Sequence, residues 1–176
     1  MLIMNIILRQ ETKKDFSAVY NLNKCAFGQE NGSKLIEVLR KSKAFIPELS
    51  IVAIIDTKIV GHILFTKILI RDQTGIENNS LALAPMSVDP KLQKQGIGGQ
   101  LIRHGLKKAK ELGFKSVIVL GYEQYYPKFG FLPASKWDIK APFVVPANAF
   151  MGIELIENGL KNVKGTVLYP KEFDRA

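Results

Sequence analysis

The sequence predicts an α/β protein in which a mixed β-sheet carries helices on both of its faces. Three observations support this prediction. Segments with strand-like and helix-like patterns follow one another in the order β-α-α-β-β-β-α-β-α-β-β. Two β-branched runs flank Asp56-Thr57-Lys58, as in an antiparallel hairpin. The length of 176 residues and a 47% share of hydrophobic residues suit one domain with its own core.

The first predicted elements are a strand at about 3–9 and two helices. Thr12 and Asp15 stand at the spacing of a capping box, so the first helix begins there and continues to about Cys25. Ser33 is the expected N-cap of the second helix. The residues predicted to face inward are Phe16, Val19, Tyr20 and Leu22 on the first helix and Leu35, Ile36 and Leu39 on the second.

The middle of the chain predicts the hairpin "LSIVAIIDTKIVGHILFTKILI" and then the strand "SLALAPMSV". Both faces of this strand are apolar, as expected of a central strand that is covered on each side. A helix at about 96–112 follows and ends before Gly113, a common helix stop. Its predicted buried stripe is Ile97, Leu101, Ile102, Ala109 and Leu112.

The last third predicts a strand at "KSVIVLG", a short helical turn at "YEQYYPKFGF", and strands at "FMGIELI" and "GTVLYP". No linker composition separates these segments from the rest of the chain. We therefore predict one domain over residues 1–176, with residues 137–176 as its C-terminal β extension.

Composition limits both function and location. The formal net charge is +9, but the lysines are scattered, which favours a solvated basic surface over a nucleic-acid site, with a phosphate-rich small ligand as the next interpretation. The single cysteine, Cys25, excludes an intramolecular disulfide, and the apolar start lacks the marks of a signal peptide. We expect a cytoplasmic protein without membrane contact, and without a metal because no Cys/His cluster has ligand spacing.

The stretch "LQKQGIGGQLI" places Gly96, Gly98 and Gly99 where the third helix begins. Glycine permits positive φ and the close approach of a ligand, and the first amides of a helix attract anions, most often phosphate. A tight turn without a ligand is the alternative interpretation. A Walker A loop needs Gly-Lys-Ser/Thr after the turn, and a dinucleotide fingerprint needs glycine where Leu101 stands, so both are excluded.

These residues resemble motif A of the GNAT superfamily of acyl-CoA-dependent N-acetyltransferases, Q/R-x-x-G-x-G/A, and place Gln93, Gly96 and Gly98 at the specified positions. "YYPKFGF" resembles the Y-x-x-x-G-F segment of the family, and "VGHILF" and the tail are similar to the subgroup of predicted acetyltransferases related to bacterial YhbS. The resemblance implies that the pyrophosphate of coenzyme A is bound by Gln93 and by the amides of Lys94, Gln95, Gly96, Ile97, Gly98 and Gly99.

Pro85 stands inside the predicted central strand, where it removes a ladder donor. Because GNAT folds break the sheet at this strand, the resemblance implies that "LAPMSV" diverges from "SVIVLG" and that the sheet is splayed. Met86 and Val88 would then present backbone groups to the cofactor. The alternative is an incidental proline at a strand edge.

The activity implied by the resemblance is direct transfer of an acetyl group from acetyl-CoA to a primary amine in a ternary complex. Tyr126 matches the tyrosine of the family and is the predicted general acid toward the coenzyme A thiolate; the alternative is an aromatic ring that only fills the splay. Glu48, Glu123 and Glu154 are interpreted as surface or capping carboxylates and His62 as a core histidine, so no general base is assigned.

Other functions stay open at this point. The chain could be a non-catalytic acyl-CoA-binding sensor or partner-binding module, or, on charge alone, a nucleic-acid-binding protein, although no recognition signature supports the latter. The acceptor could be a metabolite, an antibiotic, a peptide N-terminus or a protein lysine, and the positive charge favours an acidic one. Pairing of the C-terminal strands into a homodimer is a further hypothesis.

Overall fold

The protein is described by a computed structural model over residues 4–175, with side chains as far as residue 174. Its helices are α1 (Phe16–Phe27), α2 (Asn31–Leu39) and α3 (Ile97–Glu111). Its strands are β1 (Ile7–Gln10), β2 (Phe45–Ile55), β3 (Lys58–Arg71), β4 (Glu77–Val88), β5 (Ser116–Leu120), β6 (Leu132–Pro133), β7 (Ile139–Lys140), β8 (Phe150–Glu154) and β9 (Gly165–Leu168). Short 3₁₀ turns include Lys13–Asp15, Tyr126–Phe129 and Lys171–Arg175.

The strands form one mixed sheet, which confirms the predicted fold class. Over the described residues its order is β1-β2-β3-β4-β5-β8-β6, and β9 pairs with both β3 and β7. Neighbouring strands are antiparallel except for the pairs β4–β5 and β7–β9. The parallel strands β4 and β5 are joined through α3, the usual crossover between parallel neighbours.

The hairpin between β2 and β3 turns on two residues with a left-handed backbone. Asp56 has a φ of 47° and Thr57 a φ of 70°. Two consecutive positive φ angles are typical of a type I′ turn, whose twist matches that of the flanking strands. The predicted hairpin is therefore confirmed.

Helices cover both faces of the sheet, as predicted. On one face, Ile97 and Leu101 of α3 pack with Ile63 and Phe65 of β3. On the other face, Leu64 packs in a cluster with α1 and α2, because successive strand residues point to opposite faces. The buried apolar residues of these two helices are Val19, Leu22, Leu35, Ile36 and Leu39.

The predicted capping box at the start of the first helix is confirmed. The Thr12 N–H donates to the Asp15 carboxylate at 2.7 Å. The chain first forms the 3₁₀ turn Lys13–Asp15, and α1 then extends two residues beyond the predicted end at Cys25. The strand before it, β1, covers residues 7–10 instead of about 3–9, of which residue 3 lies outside the described chain.

Two predicted helix positions are wrong. Ser33 is not an N-cap, because α2 begins two residues earlier and the Ser33 hydroxyl donates instead to the Tyr20 carbonyl at 2.7 Å. Leu112 does not belong to the buried stripe of α3, since the helix ends before it and it is 41% exposed. Gly105 takes an inward position in that stripe, where the Phe65 ring occupies the space of a side chain.

The C-terminal strands β8 and β9 lie in the predicted segments. β8 pairs along β5, and β9 joins the end of β3 through pairs such as Leu69 with Leu168. β6 and β7 have two residues each, too few for a periodic pattern to indicate them. In the described part of the chain, no helix has the length and apolar character needed to cross a membrane.

Candidate active site

The parallel strands β4 and β5 separate after two paired positions. Leu81 pairs with Val117 and Ala82 with Ile118, and no other pair of described residues joins these strands. Beyond this point β4 continues beside β3, whereas the end of β5 pairs with β8. The predicted divergence of the two strands is therefore confirmed, and it leaves a gap in the sheet.

Pro85 lies where β4 leaves its neighbour. The register with β3 shifts here, so that Ala84 and Pro85 stand opposite the single residue Leu64. Such a bulge bends and twists the strand that carries the extra residue. Because proline has no N–H to donate, this is also the position at which a central strand loses a ladder bond.

Met86 and Val88 lie on the free edge of β4. The N–H of Asp89 donates to the Val60 carbonyl of β3 at 2.8 Å. Because backbone groups alternate in direction along an antiparallel strand, Met86 and Val88 direct theirs away from β3 and into the gap. The side-chain amide of Gln93 donates to the Val88 carbonyl at 3.3 Å, which shows that this oxygen can be reached from that side.

The glycine turn opens α3 with unpaired amides. Lys94 and Gly96 have left-handed φ angles of 63° and 88°. The first intrahelical bond described runs from the Gln100 N–H to the Gly96 carbonyl at 3.1 Å. The N–H groups of residues 97–99 therefore precede the helical ladder and lie at its positive end. A turn of this kind attracts an anion.

Gly98 and Gly99 allow the turn after β5 to close onto α3. A Cβ on Gly98 would lie 2.8 Å from the Tyr125 hydroxyl oxygen, and one on Gly99 would lie 3.3 Å from the Phe129 ring. The Arg103 guanidinium lies 5.0 Å from the centre of the Phe129 ring and places a positive charge beside the glycine turn. Arg103 is not among the residues predicted for the site; its position one helical turn after Gly99 is the signal that could have indicated it.

Tyr126 is buried on the α3 side of the gap, in the same apolar cluster as Leu101. Its ring packs edge-to-face against Tyr125 at 5.2 Å and Phe131 at 5.6 Å between ring centres. The same ring leaves no room for a Cβ on Gly121, the residue that follows β5. Burial, with smaller effects from neighbouring tyrosines, raises the pKa of Tyr126 to about 12, so the phenol stays protonated at neutral pH.

A cavity of about 570 Å³ opens on the opposite face of the sheet, at the start of the gap. Residues of β4 and β5 line one side of it, and the C-terminal tail lines the other. The tail contributes three aromatic residues and one acidic residue, the exposed Asp174, to the lining: Phe143, Tyr169, Phe173 and Asp174. Burial raises the pKa of Tyr169 to about 12, so this phenol is also neutral.

The carboxylates of Glu48, Glu123 and Glu154 have surface or capping positions, as predicted. Glu154 accepts a hydrogen bond from the Leu160 N–H at 2.9 Å. Glu48 and Glu123 are exposed, and so is Cys25. Within the chain as the structure describes it, no group of three or more Cys, His, Asp or Glu side chains is placed to bind a metal ion.

His62 is a hydrogen-bonded core residue, as predicted. It is fully buried, and its Nε2 lies 2.9 Å from the Ser50 hydroxyl oxygen. Burial lowers the pKa of His62 to about 4; the Glu11 carboxylate opposes this shift and the Arg40 guanidinium adds to it. Glu11 and Arg40 form a buried ion pair with bonds of 2.8 and 3.0 Å, which the sequence did not indicate because the two residues are 29 positions apart.

Comparison with known proteins relates these features to a family. The model of the acetyltransferase (GNAT) family matches residues 16–131. The uncharacterized N-acetyltransferase YjhQ of Escherichia coli K12 is 36% identical over 135 residues, which are 76% of this chain and 74% of YjhQ. The uncharacterized N-acetyltransferase YhbS of the same strain is 29% identical over 171 residues, which are 97% of this chain and 99% of YhbS.

Two solved structures share the fold over almost the whole chain. The E. coli YhbS structure in complex with CoA superimposes with a TM-score of 0.89 at 27% identity and covers 99% of this chain and 95% of that one. A GNAT family acetyltransferase from Brucella melitensis in complex with acetyl-CoA gives a TM-score of 0.77 at 29% identity and covers 98% of this chain and all of that one.

Proposed function

Because the chain belongs to the acetyltransferase (GNAT) family, we propose that it binds acetyl-CoA and transfers the acetyl group directly to a primary amine. The chain is an N-acetyltransferase by its family. The identity of the amine, the mode of transfer and the roles of individual residues belong to the proposal. Its support is the chemistry of the glycine turn, the gap and the buried tyrosine.

The observation that carries the proposal is a helix N-terminus beside a gap in the sheet. The amides of residues 94–99 suit a diphosphate, and the Arg103 guanidinium adds positive charge next to them. Met86 and Val88 offer backbone groups to the amides of the pantetheine arm. Gln93 lies between the glycine turn and the gap. Its side-chain amide donates to the Val88 carbonyl, so this amide must turn away when the pantetheine arm binds.

The thioester supplies an activated acyl group. The ammonium form of the amine first loses one proton to water, and the neutral nitrogen then forms the new N–C bond. The C–S bond breaks with its electron pair on sulfur, and the second proton of the nitrogen passes to water. We assign to Tyr126 the donation of a proton toward the sulfur. Since its pKa is about 12 and that of a thiol is about 8.5, the phenol donates first as a hydrogen bond, and solvent returns any proton it gives up.

Calorimetry and a thiol-release assay test the proposal together. We expect CoA to bind at one site. Pantetheine, which lacks the diphosphate together with the adenosine 3′-phosphate, should bind at least about 100-fold more weakly, because at least about 2.7 kcal/mol of contacts, charge-assisted hydrogen bonds among them, is lost. An amine panel with acetyl-CoA should release free thiol together with an N-acetylated product. CoA binding without turnover of any amine would favour the non-catalytic acyl-CoA-binding module instead, and the absence of CoA binding would contradict the proposal.

The proposal includes a cytoplasmic location, and pairing of two copies through the C-terminal strands stays a prediction. Light scattering of the purified protein at micromolar concentration measures the mass directly. A mass of 19.7 kDa would contradict the homodimer, and twice that mass would support it.

A further inference from the structure

On the basis of the proposed function, we infer that the acceptor is a small primary amine on a flat apolar body, such as an arylalkylamine, and that it binds in the 570 Å³ cavity between the gap and the C-terminal tail. This assignment rests on the position of the cavity, the shape of its wall and the sign of its charge.

The cavity meets the gap from the side opposite to α3. Ala82 and Ala84 line it from β4, and Ile118 and Leu120 line it from β5. Ala82 and Ile118 pack with Val167 in a cluster on this face, whereas Tyr126 packs with α3 on the other. An amine in the cavity can therefore approach the gap from one face while the thioester enters from the other.

The wall of the cavity is aromatic on the side of the tail. The rings of Phe143 and Tyr169 stack with their centres 6.0 Å apart and an angle of 20° between their planes. Phe173 lies next to Tyr169, with 5.1 Å between ring centres and an angle of 51° between the ring planes. The opposite wall carries the small side chains of Ala82 and Ala84, which leave space beside these rings. An aromatic body packs favourably against such rings, in offset or edge-to-face arrangements.

The charge of the cavity favours a cation. Asp174 is the charged residue in its lining, and no lysine or arginine among the side chains described as far as residue 174 lines it. This contrasts with the net charge of +9 on the whole chain, so the inference departs from the acidic acceptor that the overall charge favours. The Asp174 carboxylate attracts an ammonium ion and repels an acidic amine.

The volume favours a small molecule over a protein side chain. Cavities of about 300–1,000 Å³ bury most of a drug-sized ligand. A protein lysine would place only an aliphatic chain in the cavity and would leave the aromatic wall uncovered. The apolar contact that an arylalkylamine makes there would be lost.

The test uses the full chain with acetyl-CoA and phenethylamine as the probe. We expect kcat/KM for phenethylamine to exceed that for butylamine by about tenfold, since about 1.4 kcal/mol of ring contact is added. Glutamate and a lysine-containing peptide should react more slowly than butylamine. A peptide or an acidic amine that reacts faster than phenethylamine would overturn the inference.

Two substitutions separate charge from shape. Asp174→Asn should raise the KM for phenethylamine about three- to tenfold with kcat unchanged, because a carboxylate that attracts the cation is lost. Phe143→Ala should remove most of the preference for phenethylamine over butylamine. The matched control Glu157→Gln removes an exposed carboxylate outside the cavity and should change neither value.

CoA affinity distinguishes failure of the inference from failure of the proposed function. All three variants should bind CoA as the parent protein does. If CoA binds and amines react, but Asp174→Asn and Phe143→Ala leave phenethylamine kinetics unchanged, the acceptor assignment is overturned and the N-acetyltransferase remains. If the parent protein does not bind CoA, the proposed function is overturned and the acceptor assignment with it.

Discussion

Two adjacent tyrosines illustrate how the site is built residue by residue. The hydroxyl of Tyr125 lies over Gly98, at the opening of α3. The ring of Tyr126 lies against Gly121, at the end of β5 beside the gap. Burial raises the pKa of both phenols, to about 12 in the case of Tyr126. The two side chains thus face different parts of the proposed acetyl-CoA path, and in the proposed mechanism Tyr126 is the one that donates toward the sulfur.

Replacement of Tyr126 tests this assignment. Tyr126→Phe keeps the ring contacts and removes the hydroxyl, so we expect CoA affinity within about twofold of the parent and an acetyl-transfer kcat lower by about 100-fold. Tyr122→Phe is the matched control, because Tyr122 is 83% exposed. Stopped-flow thiol release measures both variants. A parental rate in Tyr126→Phe would show that the residue only fills space.

Asp15 connects the edge strand β1 to the start of α1 through its hydrogen bonds. The lowered pKa of its carboxyl group predicts that the protein loses stability in acid. Its carboxylate accepts hydrogen bonds from Arg9 at 2.7 and 3.1 Å and from the Thr12 N–H at 2.7 Å. Chiefly through Arg9, its pKa falls from 3.8 to about 2. A lowered pKa means that the contribution of Asp15 is complete above about pH 4 and is lost as the pH falls toward 2.

Urea unfolding of Asp15→Asn measures this contribution. We expect a loss of about 1–2 kcal/mol at pH 7, less than the full shift would give because the Arg9 side chain is 40% exposed. The loss should shrink at pH 2.5. Glu77→Gln removes the exposed pair with Arg71 and should cost under about 0.5 kcal/mol at both pH values. Equal pH dependence in the two variants would contradict the assignment.

Among the elements, α3 packs closely on the sheet because a glycine lies on each side of the contact, Gly61 on β3 and Gly105 on α3. A Cβ on Gly61 of β3 would lie 2.9 Å from a methyl group of Leu101, and Phe65 fills the space beside Gly105 of α3. These contacts bring α3 close to β3 and thereby hold its N-terminal amides beside the gap. Glycine is unfavourable inside a helix, by about 1 kcal/mol relative to alanine, so its presence at Gly105 indicates packing.

Gly105→Ala tests this contact. The added methyl group meets the Phe65 ring, so we expect a net loss of about 1–3 kcal/mol in the free energy of unfolding despite the better helix propensity. Lys107→Ala on the exposed side of the same helix should change stability by under about 0.5 kcal/mol. Chemical denaturation of both variants provides the measurement. A more stable Gly105→Ala protein would show that Phe65 moves freely and that the contact does not position α3.

Element patterns in the sequence indicated most of the fold, for reasons that the structure makes clear. Local signals were reliable where the chemistry is local, as in the Asp56–Thr57 turn and the Thr12–Asp15 cap. They failed where a tertiary contact decides. Ser33 is directed to the Tyr20 carbonyl, and Gly105 is made necessary by Phe65.

In the candidate site, too, local patterns could be predicted from the sequence and tertiary contacts could not. The glycine turn and Pro85 are local patterns, so the unpaired amides and the split between β4 and β5 could be predicted. The cavity is assembled from strand residues near Ala82 and tail residues near Tyr169, which no spacing rule connects. For the same reason the buried Glu11–Arg40 pair was not predicted.

For the molecule as a whole, the split sheet separates two environments. The face with α3 carries the helix N-terminus and Arg103, which suit an anion. The other face carries the apolar cavity with its acidic residue, Asp174, which suits a cation. A second cavity of about 670 Å³, lined by Glu11 and Arg40 among others, lies near the end of β1 and the helix pair. The α3 face and the cavity with Asp174 meet at the gap, whereas the residues that line this second cavity do not border the gap.

The most direct test is an amide NMR titration of the full chain with CoA. We expect the N–H signals of Met86, Val88 and residues 97–99 to shift together and to saturate with one equivalent of ligand. Signals near Glu11 and Arg40 should not move. Saturable CoA binding that leaves the amides of residues 97–99 and Val88 unchanged would contradict the placement of the diphosphate at the glycine turn and of the arm in the gap.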